Sequence, residues 1–176
     1  MSWLKTLLQV FFVRSLEPFF CPCCQFSEKK VIGSRNRSII ESDSNVIIFR
    51  IRRLRCKACQ KIHHELPDKV LPYKRHEVKS IEEVLDETPL LSITADGPTI
   101  RRWKSWFNGL ACHFLGALSS ALLKGRGKTE KTPFIGTALQ RIQFYVGNAP
   151  GWLSRVVQSV VKNNCWVQTR SAYSAK

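Results

Sequence analysis

The period of the hydrophobic pattern changes along the chain, from two residues in the first third to three or four afterwards. Short strands are predicted at 29–32, 38–40 and 46–54, because runs of β-branched residues there are separated by polar turns. Within 46–54 alternate positions point to opposite faces, with Ile47, Phe49 and Ile51 on one and Ile48, Arg50 and Arg52 on the other. This pattern predicts a small antiparallel sheet with one apolar and one basic face.

Helical spacing dominates the remainder of the chain. Residues 76–87 have one apolar face, and Asp96-Gly97-Pro98 is a typical start for the next helix. Further helices are predicted by the stripe Leu110, Phe114, Leu118 and Leu122, by residues after Thr137 and by residues 153–161. Leu4, Leu7, Leu8 and Phe11 predict a packing helix at the N-terminus, with partner or membrane contact as the alternative.

The helix at 99–110 has two chemically different faces. Ile100, Trp103, Trp106, Phe107 and Leu110 share one arc, and the polar side carries Thr99, Arg101, Arg102, Lys104, Ser105 and Asn108. A recognition helix needs such an apolar back and basic front, so 76–87 and 99–110 together predict a helix-turn-helix. The connection 88–95 is longer than the usual tight turn. An ordinary amphipathic core helix with a solvated basic face remains the alternative.

Two Cys-x-x-Cys pairs are the strongest chemical signal. Cys21 and Cys24 form one pair and Cys56 and Cys59 the other, with 31 residues between them. Two such turns deliver four thiolates to a tetrahedral Zn²⁺, which predicts a zinc ribbon with these four ligands. The seven cysteines are an odd number and nothing indicates an oxidising compartment, so disulfides are not expected.

The ligand set has alternatives. Cys23 stands beside Cys24, and His63 and His64 follow the second pair by four and five residues. A Cys₃His site, or replacement of one ligand by Cys23, therefore stays open. His63 and His64 are otherwise expected near the metal ligands or at DNA.

Charge indicates an anionic partner. Lys and Arg number 28 against 13 acids, a formal net charge of +15 on 176 residues. The planar guanidinium group of arginine can form two parallel hydrogen bonds with a phosphate or a guanine. Outside the helix at 99–110, the predicted nucleic-acid contacts are Arg35, Arg37, Arg50, Arg52, Arg53, Arg55, Lys74 and Arg75. A solvated arginine face, or counter-charge to a tetrathiolate zinc centre, is the alternative. No apolar run is long enough for a membrane span, so no membrane partner is expected.

Catalysis is not expected. A two-metal nuclease or transposase needs three converging carboxylates, and after Asp96 the sequence contains a single acid, Glu130. The Gly/Lys-rich segment 124–128 lacks the spacing of a P-loop. We therefore predict a non-enzymatic protein.

Several strings resemble a family of small bacterial zinc-ribbon and helix-turn-helix proteins found near phage and transposon genes. They are Cys-Pro-x-Cys at 21–24, Arg-Leu-Arg-Cys-Lys-x-Cys-x-Lys-x-His-His-Glu-Leu-Pro-Asp at 53–68, Val-Leu-Pro-Tyr-Lys-Arg at 70–75, Thr-Ile-Arg-Arg-Trp-Lys-x-Trp-Phe at 99–107 and Trp-Val-Gln-Thr-Arg-Ser-Ala at 166–172. The first two-thirds of the chain are similar to the DNA-binding front end of transposases. The resemblance implies DNA binding in a mobile-element setting.

The prediction is an α+β protein in which an N-terminal zinc ribbon, a small antiparallel sheet, precedes a helix-turn-helix and further C-terminal helices. Its expected segments are an arm at 1–20, the ribbon at 21–66, a linker at 67–75, the helix-turn-helix at 76–124, a basic linker at 125–133 and a helical segment at 134–176. The expected function is zinc-dependent binding of double-stranded DNA in the cytoplasm, at the nucleoid, as an accessory or regulatory factor of a mobile element. The alternative is an adaptor that docks on a recombinase, a transposase or another protein.

Overall fold

The computed structural model describes residues 10–16, 18–87, 95–126, 136–163, 165 and 174–175. It is an α+β protein, with a small sheet in the N-terminal half followed by four helices. The strands are β1 (Val10–Phe12), β2 (Lys29–Ile40), β3 (Val46–Cys56), β4 (Ile62–Leu66) and β5 (Ser174–Ala175). The helices are α1 (Val78–Leu85), α2 (Gly97–Arg126), α3 (Ala138–Val146) and α4 (Trp152–Lys162).

Strand β3 is the centre of the sheet. Strand β2 pairs antiparallel with its whole length, with a bulge between Val31 and Gly33, where Gly33 has a φ of 138°. On the opposite edge β4 runs antiparallel beside residues 53–55 and β1 runs parallel beside residues 48–50. Strand β5 adds to β4 in parallel. The sheet is thus mixed, whereas the sequence analysis predicted an antiparallel one.

The helix predicted at the N-terminus is wrong over residues 10–12, which form β1. Strand β4 covers only one half of that edge of β3, so the peptide groups near residue 49 need other partners. The run Val-Phe-Phe has high β propensity and supplies them, and the Val13 amide extends the pairing by donating to the Arg50 carbonyl. Residues 1–9 lie outside the described part of the chain.

The two faces of β3 contribute to two hydrophobic cores. Ile47, Phe49 and Ile51 are buried against the helices, which confirms the predicted apolar face. On the opposite face, Leu54 and Cys56 belong to a smaller cluster that includes Phe19 and Cys21. The sheet therefore separates a large helical core from a small cysteine-containing core.

The segment 67–75, predicted to be a linker, packs into the large core. Val70 and Leu71 are 2% and 1% exposed, and the Ile40 amide donates to the Arg75 carbonyl. Strands and helices consequently share a continuous set of buried side chains.

Helix α2 runs without interruption for 30 residues, where the sequence suggested several helices after Leu110. The predicted start is confirmed, because Asp96 Oδ1 accepts a hydrogen bond from the Thr99 amide. No proline interrupts the helix after Pro98, and Gly109 and Gly116 face open space. The apolar stripe through Trp103, Phe107 and Phe114 is buried.

Helices α3 and α4 begin close to their predicted starts. Thr137 forms a capping box with Gln140 at the start of α3. Helix α4 is preceded by Gly151, whose φ is 84°, and the carboxylate of Glu82 accepts hydrogen bonds from the Gly151 and Leu153 amides. Among the described residues, no helix is long and apolar enough to cross a membrane.

Candidate metal centre and neighbouring basic surface

The two Cys-x-x-Cys turns have nearly the same backbone structure. In each, the first cysteine amide donates to the carbonyl five residues later and its carbonyl accepts from the amide four residues later. These distances are 3.0 and 2.8 Å at Cys21, and 3.0 and 3.2 Å at Cys56. Gln25 and Gln60, the residues after each second cysteine, both have a φ of 59°. The two turns form a matched pair that presents its sulfur atoms to a common point.

Four sulfur atoms meet between these turns. The ligand atoms of Cys21, Cys24, Cys56 and Cys59 all lie within 4.8 Å of one another. The Sγ atoms are 3.6 Å apart for Cys21 and Cys59, and 3.6 Å apart for Cys24 and Cys56. Sulfurs bound at about 2.3 Å in a tetrahedron are separated by about 3.8 Å, so this arrangement fits a metal ion. The four predicted ligands therefore come together in a cluster that can hold a metal.

The thiols of this cluster differ in acidity. Burial raises the pKa of Cys21 well above its ordinary value, which favours the neutral thiol. A hydrogen bond from the Phe26 amide lowers the pKa of Cys24 to about 7. Binding of a cation requires thiolates and stabilises them, so loading of the site releases protons.

Two other predicted candidates lie against the same cluster. His63 is fully buried, and its Nε2 atom is 3.3 Å from the Cys21 sulfur. Cys21, Cys23 and His63 form a second group whose ligand atoms lie within 4.8 Å of one another. His64 points to the opposite face of β4, since it pairs with Arg53 while His63 pairs with Leu54.

A buried ion pair supports the sheet next to the cysteines. Glu65 is fully buried, and its two carboxylate oxygens accept hydrogen bonds from Arg52 at 2.6 and 2.8 Å. The Ser15 amide donates a third hydrogen bond to this carboxylate. Burial alone would raise the pKa of Glu65, but these donors hold it below its ordinary value. Arg52 therefore has a structural partner inside the protein.

The other sheet arginines divide between structural contacts and open surface. Arg37 donates to the carbonyls of Leu71 and Lys74 at 2.8 and 2.9 Å. Arg50 is exposed, donates to Ser34 and lies over the Phe12 ring. Arg35 and Arg55 are exposed and Arg53 is half-buried.

Arg35 and Arg53 create a positive environment around His64. Burial, followed by repulsion from Arg35 and then Arg53, lowers the pKa of His64 to about 4. Burial is the larger cause, and the repulsion is consistent with arginine side chains being grouped on this part of the sheet.

A cavity of about 590 Å³ lies between the edge of β2 and the residues before α1. Arg35, Arg37, Tyr73, Lys74 and Arg75 are among its lining residues. A second cavity of about 580 Å³ is lined by Pro98, Arg101, Arg102, Ser105 and Trp106 at the start of α2. The ammonium of Lys74 lies 4.3 Å from the centre of the Trp106 ring, so a residue that lines the first cavity contacts a residue that lines the second. We call this combined region, residues 35, 73–75, 101, 102, 105 and 106, the basic surface.

The basic face of α2 is only partly available. Arg101, Arg102, Ser105 and Asn108 are exposed, as the helical spacing predicted. Lys104 forms an ion pair with Glu87 at 3.2 Å, and the Thr99 amide is used in the helix cap. Trp103 is 4% exposed and packs against His76, so it anchors the helix.

Sequence reasoning missed the exposure of Tyr73 and the contact of Lys74 with Trp106, which itself is partly buried against the large core as predicted. Tyr73 is 55% exposed with a φ of 63°, and Trp106, which was predicted to be a core residue, carries Lys74 on its ring. The string Pro-Tyr-Lys-Arg at 72–75, an aromatic residue between a proline and two cations, was the available signal.

Sheet, cysteine cluster and helical core together define a four-cysteine cluster that could hold a metal ion, combined with a helical unit. Residues 21–103 match a family described as a domain of unknown function, DUF6431. The match extends from the first cysteine pair through β2, β3, β4 and α1 into the first turns of α2. No curated protein and no solved structure matches the chain.

Proposed function

We propose that this protein is a zinc-dependent, non-enzymatic binder of double-stranded DNA. The supporting observation is the Lys74–Trp106 contact, which joins the sheet cavity and the α2 cavity into the basic surface. A duplex has regularly spaced phosphates, so it can contact cations on the sheet and on a helix at the same time.

The proposal assigns different tasks to the two parts of the basic surface. Arg35 and Arg75 are exposed at the first cavity and neutralise phosphates, which fixes the position of the duplex. Arg101 and Arg102 are exposed at the first turns of α2, where a helix entering the major groove presents its base-reading side chains. Ser105 and Asn108 continue the same helix face.

Zinc is the proposed occupant of the four-cysteine cluster. Four thiolates in a tetrahedral arrangement suit Zn²⁺, and four protein ligands leave no open coordination position. The metal is then structural: it fixes the C-terminal end of β3 and the two cysteine turns, and thereby the sheet that carries Arg35.

The proposed biological setting is a mobile genetic element, in which this protein is an accessory or regulatory factor. It rests on the resemblance of residues 21–24, 53–68, 70–75 and 99–107 to small bacterial proteins found near phage and transposon genes. The first two-thirds of the chain also resemble the DNA-binding front end of transposases. The absence of catalysis is supported by the scarcity of acids after Asp96, where Glu130 is the single carboxylate in the sequence.

Selection of bound duplexes from a random library near physiological salt tests this function. Recovery of a common motif, competed poorly by random DNA, is the expected result. Site-specific binding would be contradicted if all duplexes were recovered equally and their affinity fell with salt as expected for phosphate neutralisation alone.

A second candidate function is an adaptor that docks on another protein. It is favoured by exposed apolar side chains on β1 and on the segment that leads to Cys21: Phe12 is 74%, Leu16 98% and Phe20 54% exposed. If the library selection yields no motif, replacement of Phe12 and Phe20 by serine and comparison of captured partners tests this alternative. Loss of one stoichiometric partner in the double variant would support the adaptor function.

A further inference from the structure

We propose that the cysteine cluster holds a second metal ion, bound by Cys23, His63 and Cys21, with the Cys21 thiolate bridging the two ions. This inference rests on the proposed four-cysteine site and adds to it a position with three protein ligands. The donors already lie together, since the ligand atoms of Cys21, Cys23 and His63 are all within 4.8 Å of one another.

The distances suit a shared tetrahedral ligand shell. The Nε2 atom of His63 is 3.3 Å from the Cys21 sulfur. A nitrogen at about 2.1 Å and a sulfur at about 2.3 Å from one tetrahedral ion are separated by about 3.6 Å. A small rotation of the His63 ring or of the Cys21 side chain therefore suffices to accommodate the ion.

The register of the sheet explains why His63 is at this position. His63 pairs with Leu54 across β3 and β4, so its ring enters the small core that contains Cys21 and Cys56. The centre of the His63 ring lies 5.9 Å from the centre of the Phe19 ring, and His63 is completely buried. An imidazole packed next to a cysteine sulfur is preorganised as a ligand, because little side-chain freedom remains to be lost on binding.

Cys23 supplies the access that a second ion requires. Its side chain is partly exposed, whereas Cys21 and His63 are buried. An ion in this position has three protein ligands and a fourth coordination position toward solvent, which water or an external thiol can fill.

Charge also favours a second cation. Four thiolates carry four negative charges and a divalent ion neutralises two of them, so the first site is anionic when loaded. Another divalent ion bound together with the Cys23 thiolate adds one net positive charge and reduces that excess. Thiolate and imidazole donors select thiophilic ions such as Zn²⁺ or Cd²⁺. Fewer protein ligands make this site the weaker of the two.

Metal stoichiometry tests the proposal. The reduced full-length protein, purified with zinc, is titrated with excess Cd²⁺, and bound ions are counted by native mass spectrometry. Two ions per chain are expected for the natural sequence and one for Cys23→Ser. The matched control is Cys112→Ser, which removes an exposed cysteine on α2 and should retain two ions.

Each outcome separates the two sites. A chain that never holds an ion contradicts the four-cysteine site itself. One ion in the natural protein at saturating Cd²⁺ overturns the second site and leaves the first intact. Two ions in Cys23→Ser would show that the additional ion binds elsewhere and would also overturn the assignment. His63→Phe, which keeps a ring in the small core, should likewise bind a single ion.

Discussion

The ammonium of Lys74 lies 4.3 Å above the centre of the Trp106 ring. Lys74 lies in the segment between the sheet and α1, while Trp106 is in the third turn of α2. The face of an aromatic ring attracts a cation but carries no net charge. The contact therefore connects the segment before α1 to helix α2, and the positive charge of Lys74 is not neutralised. Burial lowers the pKa of the Lys74 ammonium below its ordinary value of about 10.5.

Lys74→Gln should weaken binding to all duplexes to a similar degree. Removal of one phosphate contact lowers the slope of log K against log salt by about 0.9, which near 0.15 M salt corresponds to about a fivefold loss. The measurement is a salt titration of duplex affinity. Lys79→Gln is the matched control, because Lys79 is exposed on α1 and lines a different cavity that contains Glu77 and Glu82. Equal effects of both variants would show that total charge, and not the basic surface, determines binding.

Arg101→Ala and Arg102→Ala should relax sequence preference more than they reduce general affinity. A good bidentate contact with a base contributes about 1–3 kcal/mol of discrimination. The readout is the affinity ratio between the selected motif and the same duplex with single substitutions. If both variants lose affinity for all duplexes alike, the two arginines contact phosphate alone.

Trp103→Ala should destabilise the helical core by about 3–5 kcal/mol, because its buried ring fills space between α2 and His76. Chemical denaturation followed by circular dichroism measures this loss. Asn108→Ala on the exposed face of the same helix is the control and should change stability by less than about 0.5 kcal/mol.

Removal of the metal should unfold the sheet end that carries the cysteines. A structural zinc contributes on the order of 10 kcal/mol in small domains, so Cys56→Ser or a strong chelator should abolish the ordered sheet. Amide exchange measured by nuclear magnetic resonance or mass spectrometry would follow β3 directly. Cys112→Ser should leave exchange unchanged. If the amides of β3 remained protected from exchange after the metal had been chelated, a structural role of the metal would be contradicted.

Local patterns in the sequence predicted much of this architecture. The alternation of Ile47, Phe49 and Ile51 is sufficient to identify the buried face of β3, because the side-chain period of a strand is two. The paired Cys-x-x-Cys spacing likewise predicted the four-cysteine cluster, since each turn presents its two sulfurs by local geometry alone.

Long-range pairing was not predictable in the same way. Val10–Phe12 can pair with β3 because β4 leaves part of that edge of β3 unpaired. The local sequence of neither strand indicates that this part of the edge is available. The ion pair of Arg52 with Glu65 depends on register across two strands. Six similar arginines in the sequence therefore gave no indication of which are structural and which are exposed.

Arg52 and Arg50 lie on the same face of β3 and should respond very differently to alanine. Arg52→Ala leaves the buried carboxylate of Glu65 without its charged partner, so a loss of about 3–5 kcal/mol is expected. Arg50 is exposed and interacts with Ser34 and Phe12, so Arg50→Ala should cost less than about 1 kcal/mol. Urea denaturation of the metal-loaded proteins compares them. Similar losses would show that Glu65 does not depend on its arginine.

His76 should make the stability of the helical core depend on pH. Burial lowers its pKa below the ordinary value of about 6.5, although Asp96 opposes this shift. As the pH falls below about 6.5, the unfolded chain takes up a proton at this position before the folded protein does. The free energy of unfolding therefore decreases until the folded pKa is reached, and becomes constant below it. His76→Phe keeps an aromatic contact with Trp103 and removes this titration. Denaturation of both proteins with saturating zinc, at about pH 7.5 and about pH 5.5, should show a smaller loss for the variant. The shared metal ligands contribute equally to both proteins, so an equal loss in the two would mean that folding does not shift the pKa of His76.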